Sequence, residues 1–209
     1  YLPLYNGVSM IKIGVPKGKA IVPPPPRASG ITKPVVFYGT SITQGGCASR
    51  PGLAFTAVAG RLIDVPVVNL GFSGNGKMEL ALCGLVSEID ASAYVLDCLW
   101  NMSDELVRER AEPFVRALRD KRPDTPILLA EDCNVFGQAP TPKARILRAL
   151  YEKLRAEDAA KWSKLHYLEA QDMLGHDGEG TVDGCHPNDL GMMRQGSVFG
   201  QALRRILGK

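Results

Sequence analysis

From Pro34 onward the sequence alternates between short apolar runs and longer amphipathic ones, and few architectures satisfy that pattern. "PVVFYG" (34–39) reads as a buried strand, "GLAFTAVAGRLID" (52–64) as a helix and "VPVVNLGF" (65–72) as a second strand. "KMELALCGLVSEID" follows as a helix, with Met78, Leu82, Leu85 and Ile89 expected on its inward face. "AYVLDCLW" (93–100) is strand three, and the helix after it opens with Ser103 as cap. "PILLAED" is strand four, "TPKARILRALYEKLRAEDAAKW" a long helix, "LHYLEA" strand five, and a helix stopped by Gly208 closes the chain. Alternation of this kind predicts a parallel sheet of about five strands with helices on both faces, joined by right-handed crossovers. Ligands of such sheets bind outside the carboxyl ends of the strands, near the switch in strand order. That is where chemistry should be sought.

Residues 1–33 follow another grammar. "YLPLYNGVSMIKIGV" alternates loosely around an Asn6-Gly7 turn signal, which suggests a short hairpin, and Pro23 to Pro26 predict a stiff extended connector. The expected division is therefore a β remnant with its connector at 1–33 and an α/β domain at 34–209. The 25 basic and 22 acidic residues are interspersed, which argues against a nucleic-acid-binding surface. No apolar run approaches the roughly twenty residues of a membrane span. Five cysteines without CxxC spacing make neither a zinc site nor a disulfide framework, and no metal or cofactor is expected.

Four segments fall at strand ends or in the last loop: "GTS" with Ser41, "NLGFSGNG" with Gly74, "LDCLWN" with Asn101, and "DGCHP" with Asp183 and His186. A serine hydroxyl becomes a nucleophile when a base takes its proton, and neutral imidazole suits that task near neutral pH. Asp183 on the same loop would fix the tautomer of His186. The backbone N–H groups of Ser41 and Gly74 and the Asn101 amide would serve as oxyanion donors. Alone, each residue has an ordinary explanation: Ser41, Gly74 and Asp183-Gly184 as turn formers, Asn101 as a cap, His186-Pro187 as a helix start. Their coincidence at one rim, in the order Ser, Gly, Asn, Asp-x-x-His, singles them out.

That order carries a resemblance. The chain resembles the SGNH, or GDSL-type, hydrolase superfamily: "YGTSITQGG" is similar to its first block, "GFSGNG" to the second, "LWN" to the third and "DGCHP" to the fifth. The resemblance runs from about residue 34 to the end and implies a three-layer α/β/α, flavodoxin-like fold. It also implies Ser41 as nucleophile, Asp183 and His186 as its triad partners, and Gly74 and Asn101 in the oxyanion hole. Thr40 stands where the name-giving aspartate is usual, and Trp100 where glycine is common before the asparagine. The first departure resembles a branch reading Gly-Thr-Ser-Ile-Thr-Gln-Gly, in which a β-sandwich domain often lies upstream. The family also favours a secreted or periplasmic location.

Thr40, Trp100, Glu131, Asn134 and Phe136 are candidate pocket residues, with Asp132 beside them. His166 is expected to be structural, His176 a solvated loop residue, and Cys185 packed inward. The leading expectation is a metal-independent serine esterase that removes a short acyl group such as acetyl from a carbohydrate or similar polar alcohol. An acyltransferase, or a lysophospholipase or thioesterase, on the same scaffold is the enzymatic alternative. A flavodoxin-like ligand-binding module is the non-enzymatic one, and it leaves Asp183 and His186 without a task.

Overall fold

The computed structural model describes residues 1–134 and 140–209. Five strands, β1 (Val35–Gly39), β2 (Val67–Gly71), β3 (Ala93–Asp97), β4 (Ile127–Ala130) and β5 (Leu165–Leu168), form one sheet in the order β2-β1-β3-β4-β5. Every pairing is parallel. The order reverses between β1 and β3, so both strands point their carboxyl ends into the crevice where such sheets bind ligands. Among the described residues six α-helices accompany the strands: α1 (Ser41–Gln44), α2 (Phe55–Ile63), α3 (Leu80–Glu88), α4 (Asp104–Lys121), α5 (Pro142–Glu157) and α6 (Asp189–Ile206).

The strand period of two divides the core into two layers. Val36 and Tyr38 of β1 with Tyr94 and Leu96 of β3 face α3, α4 and α5, where Phe114, Leu118, Leu147 and Leu154 cover them. Val35, Phe37, Ala93 and Val95 face the other way and meet Phe55 and Ala59 of α2 and Phe199 and Leu203 of α6. Covered on both faces, the central strands are apolar up to Asp97 at the end of β3, as buried parallel strands tend to be. The result is the expected three-layer α/β/α sandwich.

Local signals explain most boundaries. Ser103 caps α4 by accepting from the Leu106 N–H at 3.3 Å, and Thr141 caps α5 with Pro142 in its first turn. The long helix ends earlier than its pattern suggests, at Glu157, because the Asp158 carboxylate turns back to accept from the N–H groups of Ala160 and Lys161. Of the face expected for α3, Met78, Leu82 and Ile89 pack on the core beside the buried Cys83, Val86 and Ser87, whereas Leu85 is exposed. Met78 has φ 52 and lies before the helix, so a helical phase counted from it is displaced. Residues 1–33 form neither strand nor helix, and the hairpin expected at Asn6-Gly7 is absent. Two strands without a third, or a helix beneath them, are marginal at best.

Candidate active site

Ser41 is the first residue of α1, immediately beyond β1. Thr40 caps the helix with its hydroxyl, which accepts from the Ile42 N–H at 3.2 Å, while the Thr40 N–H donates to Thr43 Oγ1 at 3.1 Å. Two glycines let this turn fold tightly against the sheet. A Cβ on Gly39 would stand 2.1 Å from Thr43 Oγ1, and one on Gly71 would stand 2.1 Å from the Gln44 nitrogen. "VVFYGTS" thus ends as it does because the chain must reverse within bonding distance of two strands while presenting Ser41 half-exposed at the rim.

The loop before α6 meets it there. Ser41 Oγ lies 2.9 Å from His186 Nε2, and His186 Nδ1 lies 2.8 Å from Asp183 Oδ2. Asp183 Oδ1 also accepts from the backbone N–H groups of Cys185 at 2.9 Å and His186 at 2.7 Å. These donors, with the imidazole, hold the Asp183 carboxyl down at about 2. Asp183 is therefore ionised at neutral pH, and the Nδ1 proton of His186 has a fixed acceptor. That leaves Nε2 as the lone-pair nitrogen facing Ser41.

The second and third blocks are tied to each other, and the second to α1. Gly74 takes φ +71, a backbone conformation that suits glycine, in the exposed turn after β2. Asn101 Nδ2 donates to the Asn75 carbonyl at 2.5 Å, which fixes the amide beside that turn and leaves its second N–H hydrogen uncommitted by this bond. Gln44 was not singled out in the sequence, yet its side chain joins two segments. Its Oε1 accepts from the Ser73 N–H at 2.9 Å, and its Nε2 donates to the Leu4 carbonyl at 2.8 Å. Its place three residues after Ser41, in the quoted block, was the available signal.

The remaining candidates divide. Trp100 is half-buried beside Asn101, its indole N–H donating to Cys133 Sγ at 3.2 Å and the Lys143 ammonium 5.3 Å from its ring centre. Thr40 is buried and spent as a cap, so it offers no surface to a substrate. Glu131 is buried too and accepts from Arg148, the Tyr167 hydroxyl and the Ala170 N–H, a structural cluster behind β4. Asp132 accepts from Thr141 at 2.8 Å. Asn134 is half-buried just past β4, and Phe136 lies outside the described residues. His166 is half-buried on β5 with its pKa lowered by burial, and His176 is exposed beside Asp172. Burial and the neighbouring Asp183 raise the Cys185 thiol, so it is no thiolate nucleophile at neutral pH.

Asp97 escaped notice, although a charged residue ending an apolar run marks it. It is buried at the end of β3, its Oδ2 accepting from Thr43 Oγ1 at 2.7 Å, and burial with nearby Asp132 pushes its pKa up to about 7. Among the described residues, one group brings three possible metal-ligating side chains within 4.8 Å of one another: Asp183, Cys185 and His186. Two of them already serve the hydrogen-bonded relay. No described helix is long and apolar enough to cross a membrane.

Comparison with known proteins places this geometry in context. No curated protein gives a match. Among solved structures, the chain is similar to a Bacteroides ovatus protein described as a GDSL-like lipase, at 37% identity and a TM-score of 0.74, covering 85% of this chain and 54% of that one. It also resembles the salicylyl-acyltransferase SsfX3 of a tetracycline biosynthetic pathway, at 22% identity and a TM-score of 0.67, over 85% of this chain and 55% of that one. A family two carbohydrate esterase from Clostridium thermocellum, solved with cellohexaose, matches at 15% identity and a TM-score of 0.65, over 91% of this chain and 68% of that one. The chain thus spans about half the length of the first two, and the last two likenesses concern the fold alone. Residues 32–204 match one family throughout, and the chain belongs to the GDSL-like Lipase/Acylhydrolase family.

Proposed function

We propose that the protein is a serine esterase that removes a short-chain acyl group, such as acetyl, from a carbohydrate or similar polar alcohol through an acyl-enzyme. The observation that carries this reading is the unbroken relay from Ser41 Oγ through His186 to Asp183, at 2.9 and 2.8 Å. Ser41 Oγ attacks the ester carbonyl while His186 Nε2 takes its proton, and Asp183 stabilises the imidazolium that forms. The oxyanion is received by the Ser41 and Gly74 N–H groups and the Asn101 amide. The tetrahedral intermediate collapses as His186 returns the proton to the departing alcohol. Water then attacks the acyl-enzyme with His186 as base, releasing the acid and restoring Ser41. These steps use no metal ion, and EDTA is expected to leave turnover intact.

The carbohydrate half of the reading draws support from the fold's other tenants. A two-domain esterase solved with mannopentaose, 20% identical over 87% of this chain, is described as active on acetylated mannans. A fluorophosphonate probe tests the chemical half: it should label the protein once, at Ser41, and labelling that survives Ser41→Ala rejects the assignment. A p-nitrophenyl ester series gives the acyl length, with acetyl expected to be preferred.

We also propose that residues 1–33 are a unit apart from the catalytic domain at 34–209, supplying none of its reacting groups and belonging with a β-sandwich of the kind that often lies upstream in the branch this chain resembles. Their lack of strand or helix and their exposed apolar side chains support the division.

A further inference from the structure

The first five residues do not hang free of the site. Tyr1 is anchored by the Arg61 guanidinium, which donates to its hydroxyl at 2.7 Å and lies over its ring. Leu4 is tied to Gln44 through its carbonyl, and Tyr5 reaches the nucleophile's own residue, its hydroxyl donating to the Ser41 carbonyl at 3.3 Å. A Cβ placed on Gly46 would stand 3.1 Å from the Tyr5 hydroxyl and 3.5 Å from His186 Cδ2. Only the width of a glycine therefore separates the Tyr5 phenol from the catalytic imidazole. Tyr5 is half-exposed.

We infer that Tyr5 is a substrate-binding residue, a platform at the lip of the site that takes the sugar ring of the alcohol half of the ester. This rests on the carbohydrate reading above. An aromatic face accepts the C–H face of a pyranose, and a tyrosine supplies that area with little side-chain entropy to lose. The phenol's donor is engaged by the Ser41 carbonyl, so its oxygen is left to accept from a substrate hydroxyl. The leaving alcohol must lie near His186, which returns its proton, and Tyr5 stands on that side of Ser41. Gln44 holds the segment on one side and the Gly74 turn on the other, so the lip and the oxyanion donors are kept in one register.

The test compares Tyr5→Ala and Tyr5→Phe with the unaltered protein on an acetylated disaccharide and on p-nitrophenyl acetate. Tyr5→Ala is expected to lower kcat/KM on the disaccharide about tenfold, chiefly through KM, and to lose at least about fivefold less on the aryl ester. Tyr5→Phe should stay within about threefold of the unaltered protein, since the ring remains. Equal losses on both esters, or none on either, overturn the platform, and a Tyr5→Phe loss equal to that of Tyr5→Ala overturns the stacking. An unaltered protein that hydrolyses the aryl ester but no acetylated saccharide overturns the carbohydrate reading and the sugar contact with it. A protein that hydrolyses both and ignores Tyr5→Ala overturns the contact alone.

Discussion

Asp183 bonds the imidazole that faces Ser41, on the exposed rim, and Asp97 bonds Thr43 two residues beyond Ser41, in the buried floor, and their surroundings drive their acidity apart. Asp183 is exposed, accepts from two backbone N–H groups and an imidazole, and is held down at about 2. Asp97 is buried and accepts from the Thr43 hydroxyl, and desolvation lifts it to about 7. Donor supply outweighs exposure on the rim, and desolvation outweighs one hydrogen bond in the floor. The rim thus keeps a permanent negative charge to steer a histidine, whereas the floor holds a carboxyl that prefers its proton.

Neutralising the rim carboxylate should have the largest effect. Asp183→Asn keeps the side-chain shape but offers His186 an amide in place of an anion, so the imidazole loses its reason to face Nε2 toward Ser41. On the proposed chemistry, kcat should fall by about 10³–10⁴ while KM moves little. Initial-rate kinetics on p-nitrophenyl acetate measure this, and a loss under about tenfold would assign the orienting task elsewhere. Asp183 also supports the fold above the ordinary carboxylate range, a contribution lost as pH falls through about 2 and screened by its exposure.

The floor predicts the opposite sign. Below 3.8 Asp97 is protonated both folded and unfolded; between 3.8 and about 7 the unfolded chain ionises while the fold retains the proton. Stability from the protonated form is therefore full at low pH and lost as pH rises through about 7. Asp97→Asn removes that dependence. Relative to the unaltered protein it should gain about 3 kcal/mol between pH 5 and pH 8, read from urea unfolding at each pH. A stability difference that does not change with pH would mean that the floor carboxyl is ionised like the rim's.

The rim was more legible in the sequence than the floor. Ser41, Gly74, Asn101, Asp183 and His186 stand in short polar segments that interrupt a βα pattern, and the parallel topology gathers such segments at one edge. Thr40 beside the proposed nucleophile resembles pocket lining in the sequence, whereas its hydroxyl closes the first turn of α1. Glu131 resembles pocket lining likewise, whereas its partners, Arg148 and Tyr167, come from α5 and β5 and are distant in sequence. Asp97 and Gln44 act through contacts between blocks that no single block displays. In the α3 region, periodicity misplaced Leu85, and Met78 leaves the helical backbone before Leu80.

A smaller effect sharpens the floor. Thr40→Ala deletes the cap of α1 without touching a reacting atom, and should cost about 1 kcal/mol of stability. Because Ser41 is the first residue of that helix, kcat should fall several-fold as its Oγ loses registry with His186. Thr40→Ser restores the capping oxygen and should recover both. Thermal melts and kinetics on the same preparations separate the two losses; a full stability loss with unchanged kcat would make the cap structural only.

The smallest effect concerns residues that belong to neither the rim's relay nor the floor. Among the described residues, ten exposed large apolar side chains lie before residue 34 and seven after it, so the N-terminal segment buries little of what it carries. Its ties to the domain include hydrogen bonds of Tyr1, Leu4, Tyr5, Arg27, Ser29 and Lys33 with Arg61, Gln44, Ser41, Asp64, Lys209 and Asp90. Exposed and part-buried bonds of this kind contribute roughly 0.5–1.5 kcal/mol each and are partly replaced by water when lost. A chain starting at Gly30 is therefore expected to fold, with Tm lower by about 2–8 °C. Its kcat on p-nitrophenyl acetate should lie within about tenfold of the full chain's, because no proposed reacting group precedes Ser41. Its KM for an acetylated disaccharide should rise, since Tyr5 leaves with the segment. A folded chain that loses the aryl ester altogether would show that the segment builds the relay, and the division at residue 33 would fall.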